Sequence, residues 1–347
     1  MASKFKGLRP EGQTVRLEIE GGGSREVSVE SDRSLLSALR RDASLFVPSP
    51  CAGRGACGLC KVRVVEGGSP CLPIELPWIT EEERALGIRL SCQLRVTHSL
   101  TVWVPKGLER ARACRGEAEE VRDLGRGYLL VRVRLMEPSE IAFVAGQYLQ
   151  LDIPESDYSD PVSGDPVYRA YSIASPPTDR RRIELLVRRV PNGLASTTLW
   201  ERIRPGVGLA FNGPHGDFAL AHGEGDYLFV AGGSGIGPIR AMLLSLADRL
   251  PVAGAATSAA DRSMLVYLVG APPLLAEELE RLRERLPRLR LIRLSSPIDH
   301  LGRLLAADAR ADLTCYLCGS PAIVDPSFRT LAQAGVPLDR IHADRFG

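Results

Sequence analysis

The chain has 347 residues, 44% hydrophobic and 25% charged, a composition too apolar for a disordered chain and long enough for two or three domains. Lys plus Arg (44) nearly balance Asp plus Glu (42), so a net charge of +2 excludes the polybasic footprint of a nucleic-acid or anionic-lipid binder. No apolar run reaches the roughly 18 residues of a membrane span, and no apolar segment follows the start, so a cytoplasmic protein without an integral membrane span is expected.

Taken in chain order, residues 14–19 and 26–30 alternate apolar and polar side chains around Gly21-Gly22-Gly23 and read as a hairpin. Residues 34–41 read as a short amphipathic helix and 61–65 as a strand. Thr80 to Glu83 form a capping box that opens a helix, and 100–104 close the sheet.

Within this stretch fall Cys51, Cys57 and Cys60 of one glycine-rich loop, and Cys92 farther on. Thiolates that ligate two bridged irons must converge on a small volume, which a C-x5-C-x2-C loop and a remote fourth cysteine allow. Glycine lets such a loop bring backbone amides near the sulfurs. Zinc is the alternative, since C-x2-C is also a zinc half-site, but zinc would call for a second close pair and Cys92 stands alone. Cys71 and Cys114 fit no ligand spacing. The segment 51–60, Leu72-Pro73-Ile74-Glu75-Leu76 and Arg89-Leu90-Ser91-Cys92-Gln93 resemble the plant-type [2Fe-2S] ferredoxin module fused to flavin reductases, nearest to the flavoprotein subunit of sodium-translocating NADH:quinone oxidoreductases. The resemblance implies a [2Fe-2S] cluster on Cys51, Cys57, Cys60 and Cys92.

From residue 116 short alternating strands are expected at 128–135, 147–153, 182–190 and 207–211, the pattern of a barrel. Between them lies Arg169-Ala170-Tyr171-Ser172, which supplies a cation for phosphates, a flat partner for a flavin ring and a hydroxyl for its N5. An Arg and a Tyr on one strand are equally a solvated face and a core face. The order Gln147-Tyr148, then this motif, then Gly193-Leu194-Ala195-Ser196-Thr197, then Gly213-Pro214-His215-Gly216 resembles ferredoxin–NADP reductase-like flavoproteins. The resemblance implies that Arg169 meets the flavin phosphate, Tyr171 the isoalloxazine and Ser172 N5, with 193–197 on the pyrophosphate. His215 reads as a loop residue lining the flavin edge.

Residues 227–231 form a short apolar strand, followed by Gly232-Gly233-Ser234-Gly235-Ile236-Gly237-Pro238 and an apolar-periodic helix from Ile239. A glycine-rich turn between strand and helix brings a dinucleotide pyrophosphate to backbone amides and the positive end of the helix dipole. Strands at 264–269, 289–294 and 313–317 and helices at 274–286 and 321–334 continue a βα repeat, hence a parallel sheet. Cys318-Gly319-Ser320-Pro321 ends a strand, where the resemblance puts the nicotinamide. Cys315 and Cys318 are alternatively a C-x2-C redox pair, although strand alternation sends residues three apart to opposite faces. Asp344-Arg345-Phe346-Gly347 resembles the family's closing D-x-F-G, which implies that Phe346 covers the flavin until nicotinamide displaces it. A frayed tail is the alternative.

The expected fold is therefore multidomain: a β-grasp ferredoxin (1–113), an antiparallel β-barrel flavin domain (114–221) and an α/β parallel-sheet nucleotide-binding domain (222–347). The expected activity is that of an NADH:acceptor oxidoreductase carrying FAD and [2Fe-2S], with Tyr171, Ser172, Cys318 and Phe346 at the reacting centre. NADH is expected over NADPH because Gly270-Ala271-Pro272-Pro273 lacks an arginine for a 2′-phosphate, with Arg262 and Arg293 the residues that would reverse this. The expected partner is a protein accepting single electrons, as for a soluble oxygenase reductase component. A sodium-pump flavoprotein subunit without its anchor, a dependent module serving a corrinoid or other complex, and a non-redox binding protein are the alternatives.

Overall fold

The computed structural model describes residues 12–105, 108, 111–153, 168–191, 193–221, 225–249, 263–270, 273–294, 301 and 312–346. The readings at Arg262, Ala271, Pro272 and Gly347 lie outside them.

In the N-terminal module β1 (Gln13–Ile19) and β2 (Ser24–Val29) pair antiparallel through the three glycines, each at positive φ. After β3 (Arg33–Ser34) comes α1 (Leu35–Arg41), whose first turn is capped by Ser34 Oγ accepting from the Ser37 amide. Then follow β4 (Lys61–Glu66), α2 (Glu81–Ala85) behind the Thr80–Glu83 capping box, β5 (Ile88–Leu90), β6 (Arg95–Val96) and β7 (Leu100–Val104). The sheet runs β2-β1-β7-β4-β5, with β1 and β7 parallel, while β3 pairs with β6. Leu17, Leu35, Leu39, Leu90 and Val102 fill its core, as period-2 and helical patterning require.

The middle of the chain contributes β8 (Arg112–Gly125), β9 (Tyr128–Glu137), β10 (Tyr148–Asp152), β11 (Tyr168–Ser172), β12 (Arg182–Arg188), α3 (Leu194–Arg202) and β13 (Gly208–His215). The sheet order is β11-β10-β13-β8-β9-β12. An antiparallel bridge between Ile173 and Leu185, with the Ala174 amide donating to Glu184 O at 2.7 Å, joins the first strand to the last and closes a barrel. One expectation changes here: His215 is not a loop residue but the buried end of β13, its Nε2 2.6 Å from Asn212 Oδ1, because that strand runs four residues past the expected end at 211. Residues 194–197 open α3 behind the N-cap Gly193.

The C-terminal part alternates β14 (Tyr227–Gly232), α4 (Ile236–Arg249), β15 (Met264–Val269), α5 (Pro273–Arg281), β16 (Leu289–Leu294), β17 (Thr314–Gly319), α6 (Pro321–Gln333) and β18 (Ile341–Arg345). All pairs are parallel, in the order β16-β15-β14-β17-β18. Phe229, Ala231, Tyr316 and Cys318 enter one hydrophobic core, and Leu228, Val230, Cys315 and Leu317 enter another, so both faces of the sheet are covered. The first core also takes in Tyr128, Leu130, Ala174 and Leu186 of the barrel.

The chain groups into two compact units: Met1–Ala113 with Gln150–Ala170, and Cys114–Leu149 with Tyr171–Gly347.

Candidate functional site

The cluster loop lies between α1 and β4, and it turns on Ala52, Gly53, Gly55 and Gly58, all at positive φ. Two of these glycines are enforced by neighbours: a Cβ on Gly58 would lie 2.7 Å from the Trp78 ring and one on Gly55 3.2 Å from Ile74. The loop brings all four predicted ligands together as two pairs, Cys57 with Cys51 and Cys60 with Cys92, each with sulfurs 3.3 Å apart. Paired thiols suit two irons taking two protein sulfurs each, whereas one zinc needs four ligands around one point. Among the described residues no group of three or more His, Cys, Asp and Glu surrounds a single ion position.

Within each pair one thiol favours the ionised form of its neighbour. The Cys57 S–H lowers Cys51 to about 5, and the Cys60 S–H lowers Cys92, while Cys57 and Cys60 are themselves pushed up. Thiolates 3.3 Å apart would repel one another, and cations held between them, as in a metal cluster, would offset that repulsion. Gln93 Nε2 stands 3.2 Å from Cys92 Sγ and donates to the Gly53 carbonyl, tying the remote ligand to the loop. Cys71 is only partly buried and Cys114 is buried.

The loop is braced from outside. Glu75, wholly buried, accepts from Arg89 Nη2 at 2.6 Å and from the amides of Leu72 and Leu90 at 2.8 and 2.9 Å. This locks the segment 72–78, which exposes Leu72, Ile74, Leu76 and Trp78 beside the equally exposed Leu59 of the loop, at 37–55% each.

Arg169, Ala170, Tyr171 and Ser172 form all but the first residue of β11 and are half-buried, with the Arg169 guanidinium donating to the Tyr168 carbonyl at 2.7 Å. Gly193 is the N-cap of α3 and has no side chain to satisfy the first-turn amides. Ala195 and Ser196 are buried, Thr197 half-buried, and the Thr197 amide closes the first turn on the Gly193 carbonyl. Ser196 Oγ does not cap the turn either, being spent on the Val190 amide and the Gly193 carbonyl at 3.0 Å each. A helix start without a side-chain cap, and an arginine on a half-buried strand, fit a dinucleotide such as FAD.

The glycine-rich turn leaves β14 as a 3-10 turn (Gly233–Gly235) and passes directly into α4. Pro238 is the third residue of α4, where no backbone donor is needed. A Cβ on Gly235 would collide with the Cys318 carbonyl, and Gly319, at φ 149°, packs on Gly232. Gly237 lies on the barrel's Ala174 and Leu186, where a Cβ would come to 3.6 Å of each. Ser234 stays half-buried at the open end. The turn and the Cys318-Gly319 segment thus flank the point where the strand order reverses, between β14 and β17, which is where parallel sheets bind nucleotides.

Cys318 is fully buried and its thiol pushed well up by burial and then by Asp344, while burial alone raises Cys315 to about 12. Lying in different cores, the two do not form a redox pair. The terminal segment is not frayed: β18 pairs with β17, and the Phe346 amide donates to Gly319 O at 2.8 Å, which holds its partly buried ring on the core beside the turn.

Sequence reasoning missed the Arg240 network in the same unit. From α4 its guanidinium reaches the Ala174 carbonyl, Glu184 of β12 and Glu278 of α5, at 2.6–2.7 Å. A lone Arg in an apolar-periodic helix gives no signal of such a role.

Residues 18–97 match the 2Fe-2S iron-sulfur cluster binding domain, and residues 118–220 match the oxidoreductase FAD-binding domain. The chain is 27% identical to a Na(+)-translocating NADH-quinone reductase subunit of Neisseria meningitidis, over 95% of this chain and 92% of the relative. Among solved structures it is similar to the Amycolatopsis cytochrome P450 reductase GcoB (27% identity, TM-score 0.72, 96% and 99% of the two chains). The ferredoxin reductase in carbazole 1,9a-dioxygenase gives 25% and 0.68, over 97% and 100%.

Proposed function

We propose that this ferredoxin-reductase-type [2Fe-2S] flavoprotein, an oxidoreductase with FAD and NADH as its further cofactors, delivers single electrons to an oxygenase-type protein partner. Bound FAD would supply the link between two-electron hydride chemistry and the single-electron chemistry of a two-iron cluster. The residues of this chain bind and orient. Arg169 and the first turn of α3 would neutralise the flavin phosphates, Tyr171 and Ser172 would fix the ring, and Gly232–Pro238 would hold the NADH pyrophosphate. Cys318, kept neutral by burial, and Phe346 would shape the nicotinamide pocket and exclude water from it.

The observation that carries the acceptor reading is the exposed apolar ridge of Leu59, Leu72, Ile74, Leu76 and Trp78 beside the thiol pairs. Residues 67–80 hold a single charged side chain, Glu75, and it is buried. A protein acceptor would dock there by apolar contact. The reductases of cytochrome P450 and carbazole dioxygenase support this reading. The likeness to the Neisseria protein supports a second one, service to a sodium-translocating quinone reductase; among the described residues no helix is long and apolar enough to cross a membrane. Anaerobic NADH-dependent reduction of cytochrome c, compared with reduction of a short-chain quinone, separates the readings. The proposal expects fast, cluster-dependent cytochrome c reduction that changes little with ionic strength; quinone reduction as the faster reaction would favour the second reading.

A further inference from the structure

Every residue of the Arg240 network lies within the second compact unit, and so do Tyr171, Ser172 and the glycine-rich turn 232–238. Arg240 is buried and uses each nitrogen of its guanidinium. Nη1 donates to the Ala174 carbonyl at 2.6 Å and to Glu184 Oε2 at 2.7 Å, while Nη2 and Nε share Glu278 Oε1 at 2.7 and 2.9 Å. The other oxygen of Glu184 is held by Arg132 at 2.9 Å, so that carboxylate is fixed from both sides. One arm of the fork therefore ties α4 to the barrel, and the other ties it to its neighbour α5.

The barrel arm ends close in sequence to both halves of the proposed reacting centre. Ala174 stands two residues after Ser172, and Arg240 two after Pro238. Neither span has slack. Ile173 is wholly buried and bridges Leu185, its amide donating to the Gln147 carbonyl at 2.9 Å, and the Ala174 amide donates to the Glu184 carbonyl at 2.7 Å. On the other side Pro238 and Arg240 belong to the same helix, α4, whose Gly237 lies against Ala174 and Leu186. Apolar packing sets the separation of α4 from the barrel but resists sliding weakly, whereas a planar fork donating in fixed directions sets the register as well. Hydride transfer needs that register, because the reacting atoms must be held within about 3–3.5 Å of each other.

We propose that Arg240 is a positioning residue for hydride transfer, its barrel arm holding α4 and the glycine-rich turn in register with the strand end that carries Tyr171 and Ser172. The inference rests on the NADH and flavin assignments above. Arg240 exchanges no proton or electron; the hydrogen and its electron pair leave NADH, which is oxidised, for the flavin, which is reduced. Arg240 acts through the Ala174 carbonyl and Glu184, not on the reacting atoms.

Rapid mixing of the flavin-loaded protein with NADH, without oxygen, gives the limiting rate of flavin bleaching and the half-saturating NADH concentration separately. Arg240→Met, which loses the fork, is expected to lower the limiting rate by about 10- to 100-fold while the half-saturating concentration moves by less than about threefold. Arg240→Lys, which restores one charged donor, should fall between. Glu278→Gln, which weakens only the α5 arm, should keep the rate within about threefold of the unaltered protein's, even where its urea midpoint falls as far as that of Arg240→Lys. Without NADH, amide hydrogen exchange at 173–175 and 236–241 should quicken in the Arg240 variants. If Arg240→Met does not retain its flavin, Arg240→Lys and the hydrogen exchange carry the test. An unchanged limiting rate or unchanged exchange in the Arg240 variants overturns the inference. So does an equal loss of rate in Glu278→Gln, which would make the network a matter of stability alone, or a change confined to the half-saturating concentration, which would make Arg240 part of NADH binding. Failure of NADH to bleach the flavin of the unaltered protein would instead overturn the functional reading on which it rests.

Discussion

Glu75 has no exposed surface and still lies below the usual carboxylate range. Burial alone would raise it, but the Arg89 guanidinium and the amides of Leu72 and Leu90 outweigh burial and hold it ionised. A depressed carboxylate binds fewer protons in the folded than in the unfolded state. Its stabilisation is therefore complete above the ordinary value of 4.5 and is lost as pH falls through the lower folded value. Glu75→Gln leaves Arg89 buried without its charge partner and should cost about 3–5 kcal/mol at pH 7. The difference from the unaltered protein should shrink as pH falls below about 4.5. Urea unfolding followed by tryptophan fluorescence at both pH values measures it, and a pH-independent difference would contradict the ion-pair account.

At the level of elements, the meeting of β14, α4 and β17 depends on a missing side chain. Gly235→Ala drives a Cβ into the Cys318 carbonyl, so the glycine-rich turn and the end of β17 must separate. The expected outcome is a loss of about 1–3 kcal/mol of stability with a raised KM for NADH; an unchanged KM would remove the turn from the NADH site. This turn was legible in the sequence because a buried strand, glycines and a periodic helix coincide within a few residues. The convergence of Cys51, Cys57, Cys60 and Cys92 was legible from spacing, and the separation of Cys315 from Cys318 from strand alternation. β8 was not, because its outer face is charged and pairs with arginines of the next two strands in the sheet, Glu117 with Arg134 and Glu120 with Arg132 of β9 and Glu119 with Arg182 of β12. Such a strand reads as a solvated segment. β18 was missed for another reason: Ile341-His342-Ala343-Asp344-Arg345 joins the sheet through backbone pairing that leaves almost no hydrophobic period.

The molecule as a whole combines two compact units with a near-neutral total charge that hides local differences. Residues 1–110 carry 16 Lys plus Arg and 13 Asp plus Glu, a net +3, while the ridge beside the cluster is uncharged at its surface. Long-range attraction would then contribute less to partner choice than apolar fit. The tie between barrel and nucleotide-binding sheet, by contrast, was invisible in the sequence, since it rests on one core and on Arg240, neither of which has a local pattern. The central claim is directional: NADH reduces the flavin first, and the cluster takes electrons afterwards, one at a time. Anaerobic NADH titration of the unaltered protein and of Cys92→Ser, read by visible absorption and EPR, tests it most directly. The account predicts that both proteins bleach their flavin while only the unaltered one develops a reduced [2Fe-2S] signal. Loss of flavin bleaching in a Cys92→Ser protein that retains its flavin would contradict it.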